Sequence, residues 1–122
     1  MTHLFAAYIS CKDRFDTFVT FEMFSELMKN WELIPLNVGG EVAGAIFLNG
    51  DHVHVCVLPK FEKRWMTKRL YKMIFVDKLT KYGELFTGII KDNEIGREFV
   101  ERCGFKVYDE YANVVIYRLS GV

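Results

Sequence analysis

One run constrains the fold of this chain more than any other: DHVHVCVLPKFEKRWMTKRLYKMIFVDKLTKYGELFTGIIK, Asp51 to Lys91. It reads as a strand that stops at Pro59, a loop, a long helix and a second strand. Two strands joined through a helix of that length pair in parallel, since a tight turn can only reverse the chain. The helix is expected over Lys63 to Tyr82, with Met66, Leu70, Met73 and Ile74 recurring at helical spacing as its buried stripe. Tyr71, Phe75 and Leu79 widen that stripe, which predicts a deeply packed helix. Gly83 stops it, and Glu84 to Lys91 forms the second strand.

On both sides of the crossover the pattern is antiparallel. WELIPLNV, GGEVAGAIFLN and GDHVHVCVL are joined by the hairpin signals Gly39-Gly40 and Asn49-Gly50-Asp51, giving a three-strand meander. After the crossover, Asp92-Asn93 offers cap chemistry to a second helix, in which Ile95, Phe99 and Cys103 recur every four residues and which Gly104 closes. GFKVYDEY and NVVIYRLS pair as a final hairpin around Ala112-Asn113. Upstream, Asp13 to Asn30 reads as a helix with Phe15, Phe18, Val19 and Phe24 among its apolar positions. Its polar residues Asp16, Thr20, Glu22 and Lys29 fall less cleanly, so a bend or break is expected. Thr2 to Ser10 reads either as a first strand or as a helix start. The resulting order predicts an α/β chain of α+β character, a mixed sheet with helices on both faces.

The 122 residues fit a single domain spanning 1–122 and suffice for a real core. Sixteen basic and sixteen acidic residues cancel, so any positive patch is local, and a general nucleic-acid binder is disfavoured. The three cysteines, Cys11, Cys56 and Cys103, are odd in number and scattered, which suggests a reduced, cytoplasmic setting rather than a disulfide framework. The first residues lack the basic region of a secretory leader, and no window approaches a membrane span.

The local charge sits in Lys60, Lys63, Arg64, Lys68 and Arg69, around the expected start of the long helix. Cations are unfavourable at that end by a few tenths of a kcal/mol each unless an anion lies among them. A helix start is a ready anion site, so a phosphate-binding loop is one reading. The plainer reading is a solvated positive face balanced by Glu62 and Glu98.

The element order and three local patterns resemble the GNAT superfamily of N-acetyltransferases over about Trp31 to Tyr117. VHVCVLP running into a basic loop and long helix is similar to the superfamily's acyl-CoA motif, a strand ending V-x-P followed by R/Q-x-x-G-x-G/A. DNEIGREFVERCGF is similar to its second motif, N-x-x-A-x-x-x-Y-x-x-x-G-F, with Asn93, Phe99, Gly104 and Phe105 in place. The closing hairpin is the third. The resemblance implies that the strands beside the long helix splay to admit the pantetheine arm of acetyl-CoA. Its contacts would fall on Cys56, Val57 and Leu58, and its phosphates on a loop from Glu62 to Thr67. Cofactor-binding positions carried over in this way are Cys56, Val57, Leu58, Lys63, Arg64, Trp65, Met66, Thr67, Lys68 and Asn93.

The loop departs from the motif. Its R/Q position is Glu62 and its glycine positions are Trp65 and Thr67. Glycine lets phosphate approach the backbone, whereas Trp65 would crowd it and Glu62 would repel it. The tyrosine that often serves as general acid corresponds to Val100. The carboxylate that often serves as base corresponds to Asp51, with His52 beside it; both are the candidate catalytic residues. Asp51 also suits the turn Asn49-Gly50-Asp51 without any catalysis. His52, His54 and Cys56 alternate onto one strand face, a pattern that can ligate zinc but lacks a fourth ligand; no metal site is expected.

Three functions follow. An N-acyltransferase would pass acetyl from acetyl-CoA to an amine-bearing acceptor, a small molecule or a protein, in the cytoplasm. A catalytically degenerate GNAT-fold protein would instead have a protein partner and a structural role, as among internal virion components of short-tailed bacteriophages, which this chain resembles in size and in its glycine-poor basic loop. Such a chain would act in the host cytoplasm or the virion. A nucleic-acid binder ranks third.

Overall fold

A computed structural model describes residues 1–15 and 17–121. Asp16, a polar position of the helix expected from Asp13, lies outside the described residues. Hydrogen bonding orders six strands as β1-β2-β3-β4-β6-β5, a mixed sheet accompanied by helices. The chain divides into two compact units, residues 1–49 with 54–67 and residues 50–53 with 68 onward.

The first unit opens with α1 (His3–Cys11). Thr2 caps it, its hydroxyl accepting the Phe5 N–H at 3.1 Å, so the helix alternative for this segment holds. The helix read from Asp13 to Asn30 is interrupted, the break that its scattered polar residues predict. A 3₁₀ turn (Lys12–Arg14) ends the α1 region, and α2 spans only Phe21–Met28. Thr20 starts α2 by accepting the Met23 N–H at 3.1 Å. Just before it, the buried Tyr8 hydroxyl donates to the Val19 carbonyl at 2.6 Å. That bond holds Val19 in the core, while Phe18 is 84% exposed. The apolar residues counted as one helical stripe thus come from two different conformations.

β1 (Glu32–Val38) and β2 (Glu41–Asn49) form the first hairpin. Gly39 and Gly40 both take positive φ, 58° and 80°, the requirement of a tight primed turn. The register slips between Leu36 and Asn37, which face Gly44 and Val42, so Ala43 is the extra residue of a bulge in β2. A Cβ at Gly44 would sit 2.0 Å from the Cys56 carbonyl oxygen, so only glycine lets β3 (His52–Val57) approach there. Residues 43–48 of β2 are all buried, as in a central strand covered on both faces. Ala7, Tyr8, Val19, Phe24, Ala45, Phe47 and Cys56 make the core of this unit.

In the second unit the crossover helix begins at Lys68, five residues later than expected. It runs as α3 (Lys68–Tyr71), a π turn (Lys72–Val76) and α4 (Asp77–Tyr82). The Asp77 N–H donates back to the Lys72 carbonyl, five residues earlier. That widened turn inserts one residue and rotates the stripe by about 100°. Ile74 and Phe75 are therefore buried, but Met73 is 37% exposed and Tyr71 lies at the surface. The helix is less deeply packed than its composition predicts. Gly83, at φ 80°, closes it, its N–H donating to Leu79 at 2.7 Å.

β4 (Glu84–Ile90) pairs with β6 (Val114–Ser120) along its whole length, and β5 (Lys106–Glu110) lies on the outer edge of β6. β4 runs parallel to β3, with His52 opposite Phe86, which is the crossover read from the sequence. α5 (Glu94–Arg102) starts at Asn93. Its buried residue is Val100, while Ile95 is 47% exposed, so the four-residue count from Ile95 selected the wrong edge of the buried face.

Candidate active site

Asp51 and His52 stand at the start of β3. The Asp51 Oδ1 lies 3.4 Å from the His52 Nε2. The Asp51 carbonyl accepts the Phe86 N–H at 2.8 Å, which fixes the backbone under the pair. The His52 ring lies 5.9 Å from the Phe86 ring, and both polar side chains reach solvent. A carboxylate this near an imidazole can orient the ring.

Further along β3 exposure falls. His52 and His54 are exposed, whereas Cys56 is buried. His54 stacks on Trp31, with ring centres 6.0 Å apart and planes 25° apart. Among the described residues no group of histidines, cysteines and carboxylates could hold a metal ion.

The end of β3 supplies backbone. The Leu58 N–H donates to the Ala43 carbonyl at 2.9 Å, and its carbonyl accepts from Phe61 at 2.9 Å. The Cys56 carbonyl points toward β2, against Gly44. Successive residues of a strand direct their polar groups to opposite sides, so Val57 directs its N–H and carbonyl away from β2. Of the three positions the resemblance assigns to pantetheine, Val57, itself buried, is the one whose backbone polar groups are directed away from β2.

The loop that follows is a 3₁₀ turn (Pro59–Phe61), then turns over residues 62–64 and an irregular stretch to α3. Lys63 and Arg64 are exposed, and the Arg64 guanidinium lies 5.9 Å from the ring centre of the buried Phe61. Lys60 pairs with Glu41 at 3.3 Å. Glu62, expected to repel a phosphate, faces the Arg14 guanidinium at 3.8 Å, so its charge is partly met within the unit. Trp65 is 4% exposed, a core side chain, and Met66 is half-buried. Thr67 and Lys68 are exposed, and Lys63 through Thr67 precede the helix rather than forming its first turn. Asn93, in the second unit, uses its Oδ1 to accept the Gly96 N–H at 3.1 Å as the α5 cap.

Three arrangements had no local signal in the sequence. Arg14 meets Glu62 across 48 positions. Cys11 meets Cys56 across 45. In the second unit the Arg97 Nε donates to the Tyr117 hydroxyl at 3.0 Å, and that hydroxyl donates to Glu101 at 2.6 Å. Burial raises the Tyr117 phenol above its ordinary value, against the lowering effect of the Arg97 bond. A phenol already donating to Glu101 is a structural link between α5 and β6.

No family model and no curated protein sequence matches the chain. Solved structures do. An N-acetyltransferase from Staphylococcus aureus superposes with a TM-score of 0.67 at 14% identity, over 98% of this chain and 93% of the other. A GNAT family acetyltransferase from Elizabethkingia anophelis, solved with acetyl-CoA bound, gives 0.68 at 14% identity over 98% and 91%. The ribosomal-protein-S18-alanine N-acetyltransferase from Escherichia coli gives 0.65 at 16% identity over 96% and 86%. This chain has the fold of the GNAT acetyltransferases. Among the described residues no helix is long and apolar enough to cross a membrane.

Proposed function

We propose that the chain is an N-acyltransferase that moves an acetyl group from acetyl-CoA to an amine. The observation that carries this reading is the Asp51–His52 pair at the start of β3, with Oδ1 3.4 Å from Nε2. Acetyl-CoA, when bound, supplies the activated acyl carbonyl. Val57 offers its N–H to the pantetheine arm or to the negative charge that develops on that carbonyl oxygen. Lys63 and Arg64 attract the phosphates. Arg14 lowers the repulsion from Glu62. His52, oriented by Asp51, takes the proton of the incoming amine directly or through water. With Val100 buried at the position of the family's tyrosine, no acid from α5 protonates the departing thiolate, which leaves as the anion or takes its proton from water.

One observation favours a second reading, a binding or structural protein with lost catalysis, a virion component among the candidates. The glycine-free loop is filled at Trp65, which belongs to the core. Release of free CoA thiol from acetyl-CoA, measured against a panel of small amines and peptide N-termini, separates the two. The enzyme reading expects acceptor-dependent release that falls in Asp51→Asn. Release equal to buffer with every acceptor, from a chain that does bind acetyl-CoA, supports the second reading.

A further inference from the structure

Cys11 closes α1 and Cys56 sits near the end of β3, in the same compact unit. Cys11 packs against the core cluster that contains Cys56, and each thiol shifts the acidity of the other. Cys56 is 6% exposed within the cluster of Ala7, Tyr8, Phe24 and Phe47. Cys11 packs against the same cluster but keeps part of its surface in solvent. Both are free thiols. The Arg14 guanidinium, one turn beyond Cys11, acts on both sulfurs, and the Ser10 side chain reaches Cys56. The mechanism proposed above uses neither thiol.

The two sulfurs are not equivalent. The contact with Cys56 lowers the Cys11 thiol, burial opposes this, and Arg14 adds to the lowering. The same contact raises Cys56, and burial raises it further. Cys103, in the other unit, is raised by burial. Cys11 is therefore the more acidic and the more accessible of the two thiols, the features that favour reaction with an oxidant, and Cys56 lies in the cluster it packs against.

We propose that Cys11 and Cys56 are a peroxide-responsive pair that closes to an intramolecular disulfide. The Cys11 thiolate attacks one oxygen of a hydroperoxide, the O–O bond breaks, and hydroxide or alkoxide leaves. Cys11 is then a sulfenic acid. The Cys56 thiol attacks that sulfur, the S–O bond breaks, and water leaves carrying the Cys56 proton. The peroxide gains two electrons and the two thiols lose them. A dithiol reductant reverses the change. The cross-link ties the end of α1 to β3.

The test is treatment of the folded chain with hydrogen peroxide, alkylation of remaining thiols, proteolysis and mass mapping. The expected product lacks two hydrogens, joins the Cys11 and Cys56 peptides, leaves Cys103 alkylated and reverts with dithiothreitol. In Cys11→Ser, Cys56 should stay reduced at the same dose. In Cys56→Ser, a dimedone adduct should accumulate on Cys11. Oxidation of Cys103 before Cys11 overturns the proposal, as does Cys11 sulfenic acid persisting in the native chain without the cross-link. Unchanged thiols under doses that oxidise free cysteine overturn it too. The native chain alone decides these points, so a variant that fails to fold does not obscure them.

Discussion

The connection from β4 to α5 takes three residues, Lys91 to Asn93, and its polar groups meet one another. The Asn93 N–H donates to Ile90 at 2.9 Å, its side chain accepts from Gly96, and the Lys91 N–H donates to Asn113 at 2.9 Å. Glu94 in the first turn and Arg102 in the last suit the helix dipole. The connection from β3 to α3 takes ten residues, Leu58 to Thr67, and carries Lys60, Lys63 and Arg64. The helix it leads into has no acid in its first turn and opens with Lys68 and Arg69. Among the described residues none of Lys63, Lys68 and Arg69 makes an ion pair. One connection completes itself. The other holds a surplus of positive charge and follows a strand end, Val57, whose backbone is directed away from β2, features that an anionic ligand with an amide-bearing arm would match. The difference teaches where to look for function within a single chain: substitutions in the short connection should alter stability, and those in the long one should alter ligand handling.

The largest effect is expected at the strand that feeds the long connection. Asp51→Asn and His52→Gln should each lower the rate of acetyl transfer by about a hundred- to ten-thousandfold, with thermal unfolding little changed because both side chains are exposed. Steady-state rates at saturating acetyl-CoA check this. Next, Lys63→Glu combined with Arg64→Glu should weaken acetyl-CoA binding by about ten- to a hundredfold at low salt, an effect that shrinks as salt screens it. If that double variant instead changed stability and left affinity untouched, the contrast between the connections would fail.

The short connection gives the next smaller effect. Asn93→Ala should cost about 1 kcal/mol of stability through the lost cap, and Asn93→Asp should restore most of it. Urea unfolding of the three chains reads this directly. The smallest change is expected from Arg14→Ala. It exposes the Glu62 carboxylate and should weaken acetyl-CoA binding about two- to fivefold, the range of a partly exposed ion pair. Calorimetry at two salt concentrations distinguishes that loss from a general loss of structure.

Glycines and caps made much of this fold readable before any coordinates. Gly39-Gly40, Gly83, Gly104 and Asn93 mark real boundaries, because positive φ and side-chain capping are local demands that leave local residues. The parallel crossover followed from order alone. Boundaries set by distant contacts were not readable. The break expected within Asp13 to Asn30 is present, but its place is set by the Tyr8 bond to the Val19 carbonyl, and nothing near Val19 records that. The π turn at Lys72–Val76 shifts the buried face without any proline or glycine to announce it. At the site, the Asp51–His52 pair was visible as neighbours in sequence. The roles of Arg14 and Gly44 were not, since each is defined by a partner that only the folded chain supplies.

The central claim is that the long connection after β3 receives acetyl-CoA. Calorimetric titration of the purified chain with acetyl-CoA, alongside the Lys63→Glu, Arg64→Glu double variant, tests it most directly. The account predicts saturable, salt-sensitive binding by the native chain in the micromolar range, weakened at least tenfold in the double variant. Absence of heat with the native chain at millimolar acetyl-CoA, or equal affinity in both chains, would contradict it.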